Sequence, residues 1–91
     1  MGQIEFKEAQ GRYEQDFDGH IVYANTRKKD DILYIDYVYA PPELRGKGAA
    51  GDFMTSLMAV VRNENLKAKP VCGYAASWLR RHEKDFADIT V

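Results

Sequence analysis

Residues 41–51 read Pro-Pro-Glu-Leu-Arg-Gly-Lys-Gly-Ala-Ala-Gly, a stretch whose residue types suit the holding of an anion. Gly46 and Gly48 let the backbone turn and approach a ligand where a side chain would clash, and Arg45 and Lys47 put positive charge beside it. The apolar residues at 50, 53, 54, 57, 58 and 61 then follow at the spacing of one helix face. A glycine-rich turn that opens a helix presents unpaired backbone amides at the positive end of the helix dipole, and phosphate is the natural guest. The plainer reading of the same residues is an ordinary glycine-rich helix start.

Known phosphate motifs sharpen the choice. Gly46-Lys47-Gly48-Ala49-Ala50-Gly51 satisfies G-x-G-x-x-G, but the dinucleotide fingerprint also needs an acidic residue about 20 positions on. That region is Lys67-Ala68-Lys69-Pro70-Val71-Cys72, without a carboxylate. The nucleotide P-loop needs four residues between its glycines and then Lys-Ser or Lys-Thr, which Gly46-Lys47-Gly48 does not supply. Other candidate groups are sparse. Cys72 is either a nucleophile or a small buried hydrophobe, and Tyr74, two residues on, would share its face if the segment is a strand. Tyr37 and Tyr39 share one face of an expected strand with Asp36 on the other. His20 follows a turn glycine and His82 ends an Arg80-Arg81-His82 cluster of the kind that caps a helix, so neither reads as a metal ligand.

The elements that must carry these residues are legible as patterns. Ile4–Lys7 and Gly11–Phe17 alternate with period two, and Asp18-Gly19 is a strong hairpin signal leading into Ile21–Thr26. A charged turn over 27–31 precedes Ile32–Ala40, the most β-prone run, which predicts a four-stranded antiparallel meander. The helix face predicts a helix from Gly48 to about Asn65, with Asp52 well placed near its start and Asn65 as its stop. Val71–Tyr74 reads as a fifth strand, set parallel to Ile32–Tyr39 by a right-handed crossover, and 75–82 as a short final helix. The expected fold class is therefore α/β in the broad sense (α+β), ordered ββββ-loop-α-β-α.

Composition bounds the rest. With 91 residues, one two-layer core fills the chain, so a single domain over residues 1–91 is expected. Hydrophobic residues at 45% beside 30% charged argue for a folded chain. A net charge of −1 argues against a general nucleic-acid binder. The lone Cys72 can form neither an internal disulfide nor a cysteine-based zinc site, which points to a reducing compartment. Without an apolar amino-terminal core or a run approaching the roughly 20 apolar residues of a membrane span, a soluble cytoplasmic protein is expected.

Arg45-Gly46-Lys47-Gly48-Ala49-Ala50, preceded by a strand and Pro-Pro-Glu and opening an amphipathic helix, resembles the acetyl-coenzyme A pyrophosphate loop of GNAT-superfamily N-acetyltransferases. Ile35–Ala40 before the loop, Pro70–Ala75 after it and the ending Arg81–Asp88 resemble the small single-domain members of that superfamily. The resemblance implies pyrophosphate on the amides of Arg45, Gly46, Lys47, Gly48, Ala49 and Ala50, and pantetheine along Val38, Tyr39 and Ala40 where two parallel strands splay. It implies an oxyanion donor among the amides of Tyr37–Ala40, Cys72 near the thioester, Tyr74 as proton donor to the leaving thiolate, and an unidentified amine as acceptor. The sequence departs from the family at Glu43, where Gln or Arg is usual, and at Tyr37, where small relatives carry a His suited to take the amine proton; tyrosine, with a pKa near 10, is a poor base. Direct acetyl transfer to an amine is the implied activity. A non-catalytic acyl-coenzyme A module that regulates a partner, and a plain interaction domain, are the competing readings.

Overall fold

Apolar residues on alternate positions give one sheet a single buried face. In the computed structural model, which describes residues 2–91, the strands are β1 (Glu5–Lys7), β2 (Arg12–Phe17), β3 (His20–Lys29), β4 (Ile32–Tyr39) and β5 (Lys67–Pro70). They form a five-stranded sheet in the order β1-β2-β3-β4-β5, antiparallel throughout except for the parallel β4–β5 pair. Tyr13, Gln15 and Phe17 of β2, Val22 and Ala24 of β3, Leu33 and Ile35 of β4, and Ala68 of β5 turn to the buried side. Helix α1 (Ala49–Asn63) lays Phe53, Met54, Leu57, Met58 and Val61 on that side, all fully buried. Helix α2 (Gly73–Arg81) adds Ala75, Trp78 and Leu79 to the same core. A last short helix, α3 (Glu83–Phe86), and a 3-10 turn ending in buried Ile89 finish the chain.

Turn chemistry sets the register. Asp18 and Gly19 both take positive φ, as a tight hairpin requires. The charged stretch over 27–31 is largely strand: β3 runs through Lys29, and only Asp30 and Asp31 turn, again with positive φ. Asn65 leaves α1 in the left-handed conformation, matching its expected role as the helix stop.

Two further expectations are corrected. The fifth strand is Lys67–Pro70, not Val71–Tyr74. The chain enters the sheet directly after the Asn65 turn, with Leu66 N donating to Val61 O, so the strand falls on residues of low strand propensity. Its single inward residue, Ala68, suffices to seat it, and Pro70 stands at its end where a missing N–H breaks no ladder. Cys72 and Tyr74 therefore do not share a strand face: Cys72 is the residue before α2, and Tyr74 lies in its first turn. The second correction is a β-bulge in β4. Asn25 faces Tyr37 and Thr26 faces Ile35, leaving Asp36 as an extra residue. The bulge breaks the alternation, so Asp36 bonds Arg27 on the same side as Tyr37.

Candidate functional site

The Pro41–Gly48 loop joins β4 to α1, and its internal hydrogen bonds decide what it offers. Leu44 N, Arg45 N and Lys47 N donate to Pro41 O, Pro42 O and Leu44 O at 3.0, 3.2 and 3.1 Å. Among the described residues this leaves the amides of Gly46, Gly48, Ala49 and Ala50 without a backbone acceptor, the last two in the first turn of α1. Arg45 and Lys47 can thus contribute side chains but not amides to a ligand. Gly46 and Gly48 have φ of 82° and 80°, and a Cβ on either would meet no atom within 4 Å. Glycine is therefore demanded by backbone conformation, and open space lies beside each.

Arg45 is turned back toward the strand: its Nε donates to Ala40 O at 3.0 Å, and its guanidinium lies 5.7 Å from the Tyr39 ring centroid. This anchors the loop to the end of β4. Pairing of β4 with β5 stops at Ile35 and Pro70, and Val71 N and Cys72 N both donate to Ile35 O before the chain leaves for α2. Beyond Ile35, β4 keeps β3 on one side and has no strand on the other. The expected splay between two parallel strands is replaced by the end of β5 at Pro70, which leaves the edge of β4 unpaired beyond Ile35.

The loop and the unpaired edge of β4 meet in a cleft of about 390 Å³ lined by Val38, Ala40, Leu44, Arg45, the loop glycines, Ala49, Ala50 and Tyr74. Of the residues singled out in the sequence, Val38, Ala40, Arg45, Gly46, Gly48, Ala49, Ala50 and Tyr74 come together here. Burial, opposed by Arg81 and reinforced by Cys72, holds the Tyr74 hydroxyl above its usual pKa, so it keeps its proton through neutral pH. Cys72 is half-buried at the start of α2 and packs against the core. Tyr37 and Tyr39 lie on the opposite sheet face, near Tyr23, and Tyr37 is 48% exposed. His82 is engaged elsewhere, stacked on Trp78 with Nδ1 2.8 Å from Trp78 O. The bulge at Asp36 and the position of Tyr74 on a helix have no clear sequence signal. Gly73, a residue free to start a helix, is the one hint of the latter.

The cleft fits the cofactor that the loop implies: amides without backbone acceptors at a helix start, open space beside two left-handed glycines, and a bare strand edge meet in it. A pyrophosphate would rest on the amides of Gly46, Gly48, Ala49 and Ala50, and an amide-bearing arm would lie along Val38–Ala40.

Comparison with known proteins agrees with this architecture. No curated protein matches this chain. The NMR solution structure of a GCN5-like candidate N-acetyltransferase from Staphylococcus aureus superposes with a TM-score of 0.72 at 21% identity, covering 100% of this chain and 91% of that one. That likeness extends the shared fold from the cleft to the whole sheet. The family model described as GCN5-related N-acetyl-transferase matches residues 5–89, from β1 to the final 3-10 turn, and on that match the chain belongs to the GCN5-related N-acetyltransferase family.

Proposed function

We propose that this protein is an acetyl-coenzyme A-dependent N-acetyltransferase acting by direct transfer to an amine. The observation that carries the reading is the meeting, in one cleft, of outward loop amides, the bare edge of β4 beyond Ile35 and the Tyr74 hydroxyl. The loop amides and Lys47 would hold the pyrophosphate, and the Val38–Ala40 edge would hold the pantetheine arm. The amine nitrogen attacks the thioester carbonyl, a backbone N–H of Tyr37–Ala40 steadies the oxyanion, and the carbon–sulfur bond breaks. Tyr74, protonated at neutral pH, hydrogen-bonds the departing sulfur and supplies its proton, which water restores. Cys72 touches this region from the start of α2, and direct transfer assigns it a contact rather than an acylated intermediate.

One observation favours the non-catalytic reading: the residues lining the cleft include no His, Asp or Glu to take a proton from the amine. In the catalytic reading that proton goes to water, since Tyr37 lies near Tyr23 on the opposite sheet face and does not line the cleft. We assign the protein to a reducing, cytoplasmic setting as one domain, a reading supported by the single free Cys72. Among the described residues no helix is long and apolar enough to cross a membrane.

Calorimetric titration with acetyl-coenzyme A and coenzyme A tests the assignment. Wild-type binding that is lost in Gly48→Glu, with the fold intact by circular dichroism, supports it. Absence of wild-type binding excludes both acyl-coenzyme A readings, and binding without acetyl transfer to any amine leaves the regulatory module.

A further inference from the structure

The sheet has two outer edges, and they are treated differently. Beyond β5, Thr90 bridges Ala68 and Val91 N donates to Ala68 O at 2.9 Å, so the last residues of the chain cover part of that edge. At the other edge stands β1, only 3 residues long, and among the described residues no strand lies beyond it.

The register of the ladder shows what β1 offers. Asp18-Gly19 is a two-residue turn that makes Phe17 and His20 a hydrogen-bonded pair. By alternation the backbone groups of Tyr13, Gln15 and Phe17 point to β3, and those of Arg12 and Glu14 point to β1. Glu5 and Lys7, which face Glu14 and Arg12, therefore bond inward, and the N–H and C=O of Phe6 are left on the outer edge. The Phe6 ring is open as well: it lies against Tyr13 with 4.9 Å between ring centroids and stays 50% exposed. The charges of β1 find no complement in β2. Glu5 stands opposite Glu14 and Lys7 opposite Arg12, like beside like, while Arg12 and Glu14 pair with each other at 2.7 Å. Glu5 and Lys7 reach one another only at 3.7 Å, both exposed, a contact of the kind that contributes little.

We propose that two copies of this chain associate edge to edge through β1, antiparallel and centred on Phe6, joining their sheets into one. The edge fits a second copy because β1 is its own complement. With a two-fold axis at Phe6, Glu5 faces the partner's Lys7, and Lys7 faces the partner's Glu5. These are the close, non-hydrogen-bonded positions of the new ladder, where side chains interact most. The two Phe6 residues exchange their free N–H and C=O groups and bring their exposed rings together. On the helix side, a groove of about 660 Å³ between Gly2–Ile4 and Ser56, Val60 and Asn63 of α1 gives room to the partner's chain as it leaves β1. The contact is isologous and uses the one β1 edge of each copy, so assembly closes at two. A strand this short buries little surface, and the association is weak, with Kd on the order of 100 µM. The cleft beside β4 lies toward the other end of the sheet and stays open in the pair, so the inference does not depend on the acetyltransferase reading.

Sedimentation equilibrium of the full chain between about 10 µM and about 1 mM tests this. The wild-type mass should rise from that of one chain toward that of two. Lys7→Glu sets like charges at both contacts across the axis and should weaken association roughly tenfold. It also gives Arg12 an opposite charge within its own sheet, so the fold is kept, which circular dichroism checks. Adding Glu5→Lys to that variant makes both contacts complementary again and should return association to the wild-type level. A wild-type chain that stays single across the range overturns the inference and leaves the β1 edge to a strand of a different protein. Association equally tight in Lys7→Glu, or no recovery in the double variant, overturns it too, because the copies then meet through another surface.

Discussion

At the residue scale, Gly48 and Tyr74 carry the sharpest consequences. Gly48 closes the loop with φ 80° immediately before α1. Since an added Cβ would meet no neighbour within 4 Å, Gly48→Ala isolates the backbone effect. The left-handed conformation should cost about 1 kcal/mol, seen as a melting temperature lowered by roughly 4–8 °C. Tyr74→Phe keeps the ring and removes the proton donor. It should lower kcat by about a hundredfold, the scale of general acid catalysis, with acetyl-coenzyme A affinity nearly unchanged. The sign of the pH dependence follows from the raised pKa of Tyr74: the hydroxyl is protonated below its elevated value and lost above it. Wild-type activity should therefore hold through neutral pH and fall in alkali beyond the ordinary tyrosine range, and that alkaline limb should vanish in Tyr74→Phe.

At the element scale, α1 couples the site to the core. Its first turn offers amides to a ligand while Phe53, one turn in, is fully buried. Phe53→Ala should lower unfolding free energy by about 3–5 kcal/mol in urea, through lost burial and the cavity left behind. The other end of α1 holds the C-terminal segment. Arg62 donates from Nη1 to Asp88 Oδ2 at 2.7 Å and from Nη2 to Asp85 O at 2.8 Å, while Lys67 Nζ donates to Asp88 O at 2.6 Å. The Arg62 hydrogen bonds hold the Asp88 carboxyl below the ordinary carboxylate pKa. A depressed carboxylate contributes stability above its unfolded pKa, near 3.9, and loses it as pH falls through the lower folded value. Amide protection factors in residues 86–91, taken relative to the intrinsic rate at each pH, should thus fall below about pH 4, and Arg62→Met should lower them at neutral pH.

At the scale of the whole molecule, α1, α2 and α3 contribute to the core on one side of the sheet, and the exposed side is stitched by its own ion pairs, Arg12 with Glu14 and Arg27 with Asp36. The sheet therefore needs no second layer to satisfy its charges, and it can present tyrosine rings beside the gap at Ile35. With a net charge of −1 and an isoelectric point near 6.1, charge repulsion between copies is weakest just below neutral pH. Solubility should be lowest near pH 6 and rise on either side, as measured by the protein left in solution after precipitant titration.

Much of this is legible in the amino-acid sequence by itself, because it depends on neighbours in the chain. Period-two alternation marks β2, Asp18-Gly19 marks the hairpin, the 3.6-residue stripe from Ala50 to Val61 marks α1, and Gly46 and Gly48 mark the helix start that leaves amides free. What tertiary structure decided depends on groups far apart. The strand at Lys67–Pro70 exists because α1 ends beside β4 and delivers whatever residues come next, overriding their weak strand propensity. Asp36 joins the face of Tyr37 because a bulge, invisible to alternation, lets Val38 pack toward the core while Arg27 captures the carboxylate. Tyr74 reaches the cleft from a helix because Val71 and Cys72 spend their amides on Ile35, and that shared acceptor ends the strand and opens the gap.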